Sequence, residues 1–322
     1  MPAGPSLPAP DASICRSYPW RSAGEMDSTI TDSTVTSVKR GTLPRTRSAP
    51  VNRLDRLTAS PETLSFRTGT KAPDLSILIP VYNERATLRA VLDKVRAVAF
   101  PVRTEIVIVD DGSTDGSRDL LTDLPPWRDV RVIFHEANAG KGAAIQTALA
   151  HATGDVVVIQ DADLELEPAD LLPLFDVLQR GESQVCYGSR FLGDTRQFHG
   201  LSSYWANRTL NFICNRLNGI RISDMNTCYK MMRTDVARRL NLQSRGFAME
   251  PEITTKLARM GVTIAERPVR YRPRSKHLGK KIRASAVFSY LAAMLKFRFQ
   301  RGEQSILRNA EPRSTSQISL AR

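Results

Sequence analysis

An α/β fold, with a mainly parallel sheet covered by helices on both faces, is what three features of this 322-residue chain predict. Short continuous apolar runs, Asp74–Val81, Thr104–Asp110 and Asp155–Gln160, read as strands buried on both sides, the condition of strands in a parallel sheet. Segments with apolar residues at helical spacing separate them, so strand and helix alternate. A polar cluster follows each run: Pro80-Val-Tyr-Asn-Glu84, Asp110-Asp-Gly-Ser-Thr-Asp115 and Asp161-Ala-Asp-Leu-Glu165. In open sheets of this kind ligands bind beyond the carboxyl ends of the strands, so the three clusters should meet on one rim. One alone would pass for an ordinary turn; three suggest a site.

The elements follow in order. Pro80 stops the first strand, and from Thr87 to Val98 the residues Leu88, Val91, Leu92 and Val95 share one helical face. A helix is expected over about 115–123, a short strand at Val130–Phe134 and a helix at Gly142–His151, before the strand that ends at Gln160. Pro168 and Ala169 offer the start of another helix. The segment Ser202–Leu217 interleaves Tyr204, Trp205, Phe212 and Ile213 with Arg208 and Arg216, as an amphipathic helix does, and core packing is the default for its aromatics. Residues 71–283 should form the folded domain, followed by a basic amphipathic helix over 284–301. That helix either packs on the domain or lies in a membrane interface. Residues 1–70, rich in Ser, Thr, Pro and Arg, and 302–322 lack periodicity and are expected to be disordered tails.

Composition narrows the function classes. Four cysteines (Cys15, Cys186, Cys214, Cys228) have neither C-x-x-C nor metal-finger spacing, which argues against a disulfide framework or a zinc site and for a reducing compartment. The N-terminus lacks a signal-peptide pattern, and no apolar run reaches the roughly 20 residues of a spanning helix. A cytoplasmic protein is expected, with any membrane contact peripheral and at the inner face. The net charge of +13 is concentrated late in the chain. No acidic residue occurs between Arg267 and Gly302, a stretch that holds Arg270, Arg272, Arg274, Lys276, Lys280 and Lys281. Such a field attracts phosphate, whether on a nucleotide, a lipid headgroup or a nucleic acid, although a solvated basic face is equally common. Nucleic-acid binding is a remote alternative, because the rim clusters are acidic and no recognised nucleic-acid module is present.

Asp161 and Asp163 stand two residues apart, so in extended backbone they point the same way and repel unless a cation lies between them. A divalent ion with a taste for hard oxygen ligands, Mg²⁺ or Mn²⁺, would answer, and Glu165 shares their parity. Glu167 falls farther along and is expected in solvent. The competing reading is an acidic cap on the helix that starts at Pro168.

Taken in order, Pro80-Val-Tyr-Asn-Glu84, Val109-Asp-Asp-Gly-Ser-Thr-Asp115, Asn138-Ala-Gly-Lys-Gly142 and Asp161-Ala-Asp-Leu-Glu165 resemble the family-two glycosyltransferases. The likeness is greatest to the branch of dolichol-phosphate mannosyltransferases and polyprenyl-phosphate glycosyltransferases, and it runs from about Leu75 to Ile282. It implies a GT-A type, Rossmann-like nucleotide-diphospho-sugar transferase in which the pair Asp161 and Asp163 carries a divalent metal; Glu165, by its parity, would complete the set. By the same likeness Pro80, Tyr82 and Glu84 line the nucleotide pocket and Asp110 or Asp111 bonds the base or ribose; the physical reading agrees, since a tight turn at Gly112 would let the backbone approach a ligand. Asn138 and Lys141 match the N-x-G-K-G segment, whose glycines close the turn before the next helix. Arg190, in Tyr187-Gly-Ser-Arg190-Phe, would lie near the anionic part of the site. Asp224-Met-Asn-Thr-Cys-Tyr-Lys230 departs from the family's D-x-x-S-G-F pattern, whereas Phe247-Ala-Met-Glu250 matches F-x-x-E and brings Glu250 to the site.

In the lipid branch a basic segment closes over the donor diphosphate and acceptor phosphate; Arg274 and Lys281 match it loosely, and Arg208 would be a further acceptor-phosphate contact. The activity implied is an inverting, metal-dependent transfer of a hexose from a GDP-mannose or UDP-glucose type donor to a polyprenyl or dolichyl phosphate. An anionic membrane surface or a membrane protein is the partner implied. A hydroxyl acceptor, soluble or on a polysaccharide, is the alternative, and it would need Glu250 or Asp224 as a base.

Overall fold

The structure is a computed structural model, and it describes residues 74–192, 201–274 and 284–300, with backbone alone at 201–202 and 284–286. The expected tails and Lys281 lie outside the described residues. Among those described, seven strands form one sheet in the order β3-β2-β1-β4-β6-β5-β7. They are β1 (Leu75–Val81), β2 (Thr104–Asp110), β3 (Val130–Phe134), β4 (Val156–Ile159), β5 (Val185–Ser189), β6 (Lys230–Arg233) and β7 (Ile264–Pro268). Only β6 is reversed, running antiparallel to β4 and β5, so the sheet is mainly parallel.

The helices are α1 (Arg85–Ala97), α2 (Ser117–Thr122), α3 (Lys141–His151), α4 (Leu171–Gln179), α5 (Leu201–Asn218), α6 (Thr234–Arg239), α7 (Met249–Arg259) and α8 (Ala284–Phe299). They cover both faces. One core joins α1 and α4 to the sheet through Leu88, Val91, Leu92, Leu171, Leu174 and Phe175; the other joins α3, α7 and α8 through Ile145, Ala148, Met249, Ile253 and Met294. Each fully buried side chain of α1 contributes roughly 1.5–3 kcal/mol relative to exposure. That is why the spacing of Leu88, Val91, Leu92 and Val95 predicts this helix.

The first strand does not stop at Pro80 but carries through it to Val81. Pairing with β4 ends at Leu78, whereas pairing with β2 continues to Val81–Asp110, so Pro80 has one remaining neighbour and its missing donor costs little. The extended backbone expected through Asp161–Glu165 is also absent. The chain turns at Ala162–Asp163 and Leu164 adopts a left-handed φ of 59°, so the parity that would aim the three carboxylates one way is lost.

Candidate active site

The β1–α1 and β2–α2 loops are clipped together by their backbones. Asn83, at φ 56°, donates its N–H to Ser113 Oγ (3.0 Å) and accepts from Thr114 N at Oδ1 (2.8 Å). Glu84 N donates to Ser117 Oγ and Arg85 N to Asp115 Oδ2, each at 3.0 Å. Burial works to raise the Asp115 carboxyl, but bonds from Ser117 and Arg85 outweigh it and hold it below its ordinary value. Pro80, Tyr82 and Glu84, all partly buried, thereby sit on the rim beside Asp110.

Asp110 and Asp111 divide the role expected of either. Asp110 is wholly buried; its Oδ2 accepts from Arg118 Nε at 2.9 Å, and its Oδ1 has no partner among the described residues. An orphaned buried carboxylate oxygen is costly, and a ligand donor is the natural relief. Asp111 has none to spare. Its Oδ1 accepts from Ala139 N (3.0 Å) and meets His135 Nδ1 (2.8 Å), and its Oδ2 accepts from Gly140 N (2.8 Å). The second acid thus holds the Asn138–Gly140 turn, with His135 braced in turn on Thr147 Oγ1 at 2.9 Å. Gly112, at φ 73°, packs where a Cβ would stand 2.7 Å from the Ala137 carbonyl carbon, so the close approach that the structure shows there is to the chain itself.

Two cationic knots flank the turn at Asp161–Glu165. Lys141, at the start of α3, lies 2.9 Å from Asp161 and 3.2 Å from Glu250, and Glu250 also pairs with the fully buried Lys230. Burial disfavours the Lys141 charge, but Asp161 and Glu250 more than offset this and raise it above the ordinary lysine value. Gly140 and Gly142 are needed because a side chain at either would overlap the Arg245 or Ser244 carbonyl. On the other side Arg274 Nη1 and Nη2 each lie 2.9 Å from a Glu84 oxygen, and Nη2 is also 3.0 Å from Asp163 Oδ2. Glu165 is 3.9 Å from Arg274 Nε.

No three acidic, His or Cys side chains stand together as a metal cluster among the described residues. The residue types are those a hard divalent ion takes, since Asp161, Asp163 and Glu165 are partly exposed carboxylates on one rim, but in this arrangement they are turned apart, Asp161 to Lys141 and Asp163 and Glu165 to Arg274. The alternative of an acidic cap is not realised, because neither the 3₁₀ turn Pro168–Asp170 nor α4 has a side-chain cap bond. Glu167 is not left in solvent: it pairs with Lys94 at 2.8 Å.

Arg190 is turned to Asp224, with Nε and Nη2 at 2.7 and 2.8 Å from its two oxygens. Burial opposes this charge too, yet Asp224 raises it above the usual arginine value. Arg208 is exposed on α5, its guanidinium 5.7 Å from the Phe191 ring, apart from the acidic rim's ion pairs. Sequence reasoning missed His135 and Arg118. Arg118 follows an acidic segment, but its spacing does not distinguish it from surface charge, and nothing in the local pattern singles out His135.

A sheet with six strands running one way and acids matched by cations at its carboxyl edge is the architecture of α/β proteins that bind ligands beyond their strand ends. Residues 76–240, just over half of the chain, match the model of Glycosyl transferase family 2, and the chain belongs to that family. It is 27% identical over 185 residues to a dodecaprenyl-phosphate galacturonate synthase of Rhizobium johnstonii, covering 54% of this chain and 53% of that one. It is 32% identical over 169 residues to an undecaprenyl-phosphate 4-deoxy-4-formamido-L-arabinose transferase of Pseudomonas syringae, covering 50% and 48%. The chain therefore spans about half the length of these curated relatives. Among solved structures, glucosyl-3-phosphoglycerate synthase from Mycobacterium tuberculosis in complex with UDP superposes with a TM-score of 0.56 at 20% identity, over 74% of this chain and 88% of that one. The same enzyme with Mn²⁺, UDP and phosphoglyceric acid gives 0.54 at 20% identity, over 70% and 79%. These likenesses match the GT-A type fold.

Proposed function

We propose that the protein moves a hexose from a nucleotide-diphospho-sugar, of the GDP-mannose or UDP-glucose type, to a polyprenyl or dolichyl phosphate at the cytoplasmic face of a membrane, with inversion. The observation that carries this reading is the state of the two carboxylates that a hydroxyl acceptor would need as a base. Glu250 is buried with an ammonium group on each oxygen, Lys141 on one and Lys230 on the other. Both oxygens of Asp224 lie in the Arg190 fork. Neither is disposed to take a proton from an incoming hydroxyl. A phosphate acceptor is already an anion and needs no base. Its oxygen attacks the anomeric carbon as the bond to the donor diphosphate breaks, the bonding pair leaves with the nucleoside diphosphate, and no proton moves. What the protein supplies is alignment and charge neutralisation.

In this reading Asp110 Oδ1 accepts from the base or ribose, with Pro80, Tyr82 and Glu84 beside it. Lys141 and Arg190 set the positive field around the diphosphate. A divalent cation, Mg²⁺ or Mn²⁺, held by Asp161, Asp163 and Glu165 would neutralise the leaving group's charge. Residues 71–283 are taken as the catalytic domain and α8 as its membrane-facing addition.

The lipid side has its own support. Trp205 and Phe212 on α5, and Phe288, Leu295 and Phe299 on α8, are exposed on two helices that pack together, and Arg208, Arg216 and Lys296 are exposed on the same pair. No described helix is long and apolar enough to cross a membrane, so the contact proposed is interfacial. The test is a panel of labelled nucleotide-sugars with Mg²⁺ or Mn²⁺ and polyprenyl phosphate, followed by organic extraction. Label in an alkali-stable, mild-acid-labile lipid fraction is expected. Label on water-soluble acceptors alone would replace this reading with a hydroxyl-acceptor transferase.

A further inference from the structure

Arg274 stands where three carboxylates would otherwise face one another. Its guanidinium grips Glu84 in a two-bonded fork at 2.9 Å, reaches Asp163 Oδ2 at 3.0 Å and approaches Glu165 at 3.9 Å. This position is set by backbone as well as by side chain. Residues 270–274 run beside 165–170: Leu166 and Tyr271 form an antiparallel bridge, and Arg272 N donates to Glu165 O at 2.8 Å. Arg270 is held to Asp170 through both its N–H (2.6 Å) and its Nε (2.8 Å). The register therefore delivers Arg274 to the acidic turn. Asp161, the other acid of the Asp-x-Asp pair, has its own cation in Lys141.

Among the described residues three carboxylates here meet one guanidinium, an arrangement in which an added cation would be attracted. A guanidinium and a hard cation compete for Asp163, because like charges held on one carboxylate repel. All four side chains are roughly one-fifth exposed, so water and ions reach them. A guanidinium fork that fits a carboxylate also fits a phosphate.

We propose that Arg274 is a built-in counter-ion of the acidic rim, which gives up Asp163 to the divalent cation and so frees its guanidinium for a phosphate oxyanion. The proposal rests on the metal-dependent reading above and adds an exchange: one cation leaves the acid as another arrives, and the departing one turns to substrate. It makes a prediction opposite to that for a merely structural arginine, whose removal would loosen the site.

The experiment uses the full chain and Mn²⁺ alone, with free ion followed by electron paramagnetic resonance. Arg274→Ala is expected to bind Mn²⁺ about fivefold or more tightly than the unaltered protein, the loss of one partly exposed competing charge. Arg274→Lys, which keeps the charge without the fork, should fall between, and it serves if the alanine variant does not fold. In metal-free buffer Arg274→Ala should melt lower, and Mn²⁺ should raise its Tm more than that of the parent. Equal Mn²⁺ affinity in parent and Arg274→Ala, with binding lost in Asp163→Asn, would overturn the exchange and leave the metal site standing. No Mn²⁺ binding by any form, even with UDP or GDP, would sink the metal reading and the exchange with it. With Mn²⁺ saturating, the freed guanidinium should show as weaker binding by Arg274→Ala of either the nucleoside diphosphate or farnesyl phosphate, which identifies the source of the oxyanion. Unchanged binding of both would refute the second half of the proposal.

Discussion

At Asp110 a buried carboxylate keeps one oxygen unpartnered among the described residues, while Asp111 beside it spends both oxygens on the turn before α3. The two should respond differently to substitution. Asp111→Ala strands two backbone donors and the His135 ring, at a cost of roughly 1–3 kcal/mol for the unsatisfied groups. A fall of several degrees in Tm is expected, at about 2–4 °C per kcal/mol for a domain of this size, and a thermal scan measures it. Asp163→Asn, on an open rim, should leave Tm nearly unchanged and abolish transfer; activity retained in excess chelator would count against the metal role. Asp115 provides a pH signature. Its folded carboxyl is held below the ordinary value, so its clip stabilises the protein above that value and is lost as pH falls through the lowered one. Asp115→Asn should therefore flatten the acid limb of a Tm-against-pH curve.

The element that positions Lys141 is α3, and its N-terminus is built against a clamped loop. Glu252 accepts from Gln243 N (2.8 Å) and Ser244 N (2.7 Å) and pairs with Lys256 at 2.8 Å, while Ala143 N donates to Arg245 O at 2.9 Å. There is no room for a methyl group between α3 and this loop. Gly142→Ala should cost about 1–3 kcal/mol as overpacking and pull Lys141 from Asp161 and Glu250. The expected result is a lower Tm together with a raised KM for the donor, the two changing in the same variant. Gly140 and Gly142 thus open a passage for a neighbouring loop, which the motif as a string does not reveal.

On the scale of the whole molecule, charge and apolar surface coincide on α5 and α8. Phe288→Ser with Leu295→Ser removes two exposed apolar side chains of α8. Binding to anionic liposomes should fall several-fold in a flotation assay, and transfer to a short-chain, water-soluble prenyl phosphate should persist. Raising salt from about 0.01 M to 0.15 M, which shortens the screening length from about 30 Å to 8 Å, should weaken vesicle binding of the parent as well. Salt-insensitive binding would remove the electrostatic part of the membrane reading.

The chain's own pattern determined the alternation of buried strands and amphipathic helices, and with it the sheet and the gathering of three polar clusters at its carboxyl edge. Those features follow from burial periodicity, which is local and is written in neighbouring residues. Tertiary structure decided which charge meets which. Arg274 reaches Glu84 from 190 positions away and Lys141 meets Glu250 across 109, pairings that no spacing rule contains. It also decided that Asp161 and Asp163 part at a turn, toward Lys141 and Arg274, where extended backbone would have aimed them together. The reason is that an ion pair depends on distance in space and on the loss of water around it, and both are properties of the packed fold.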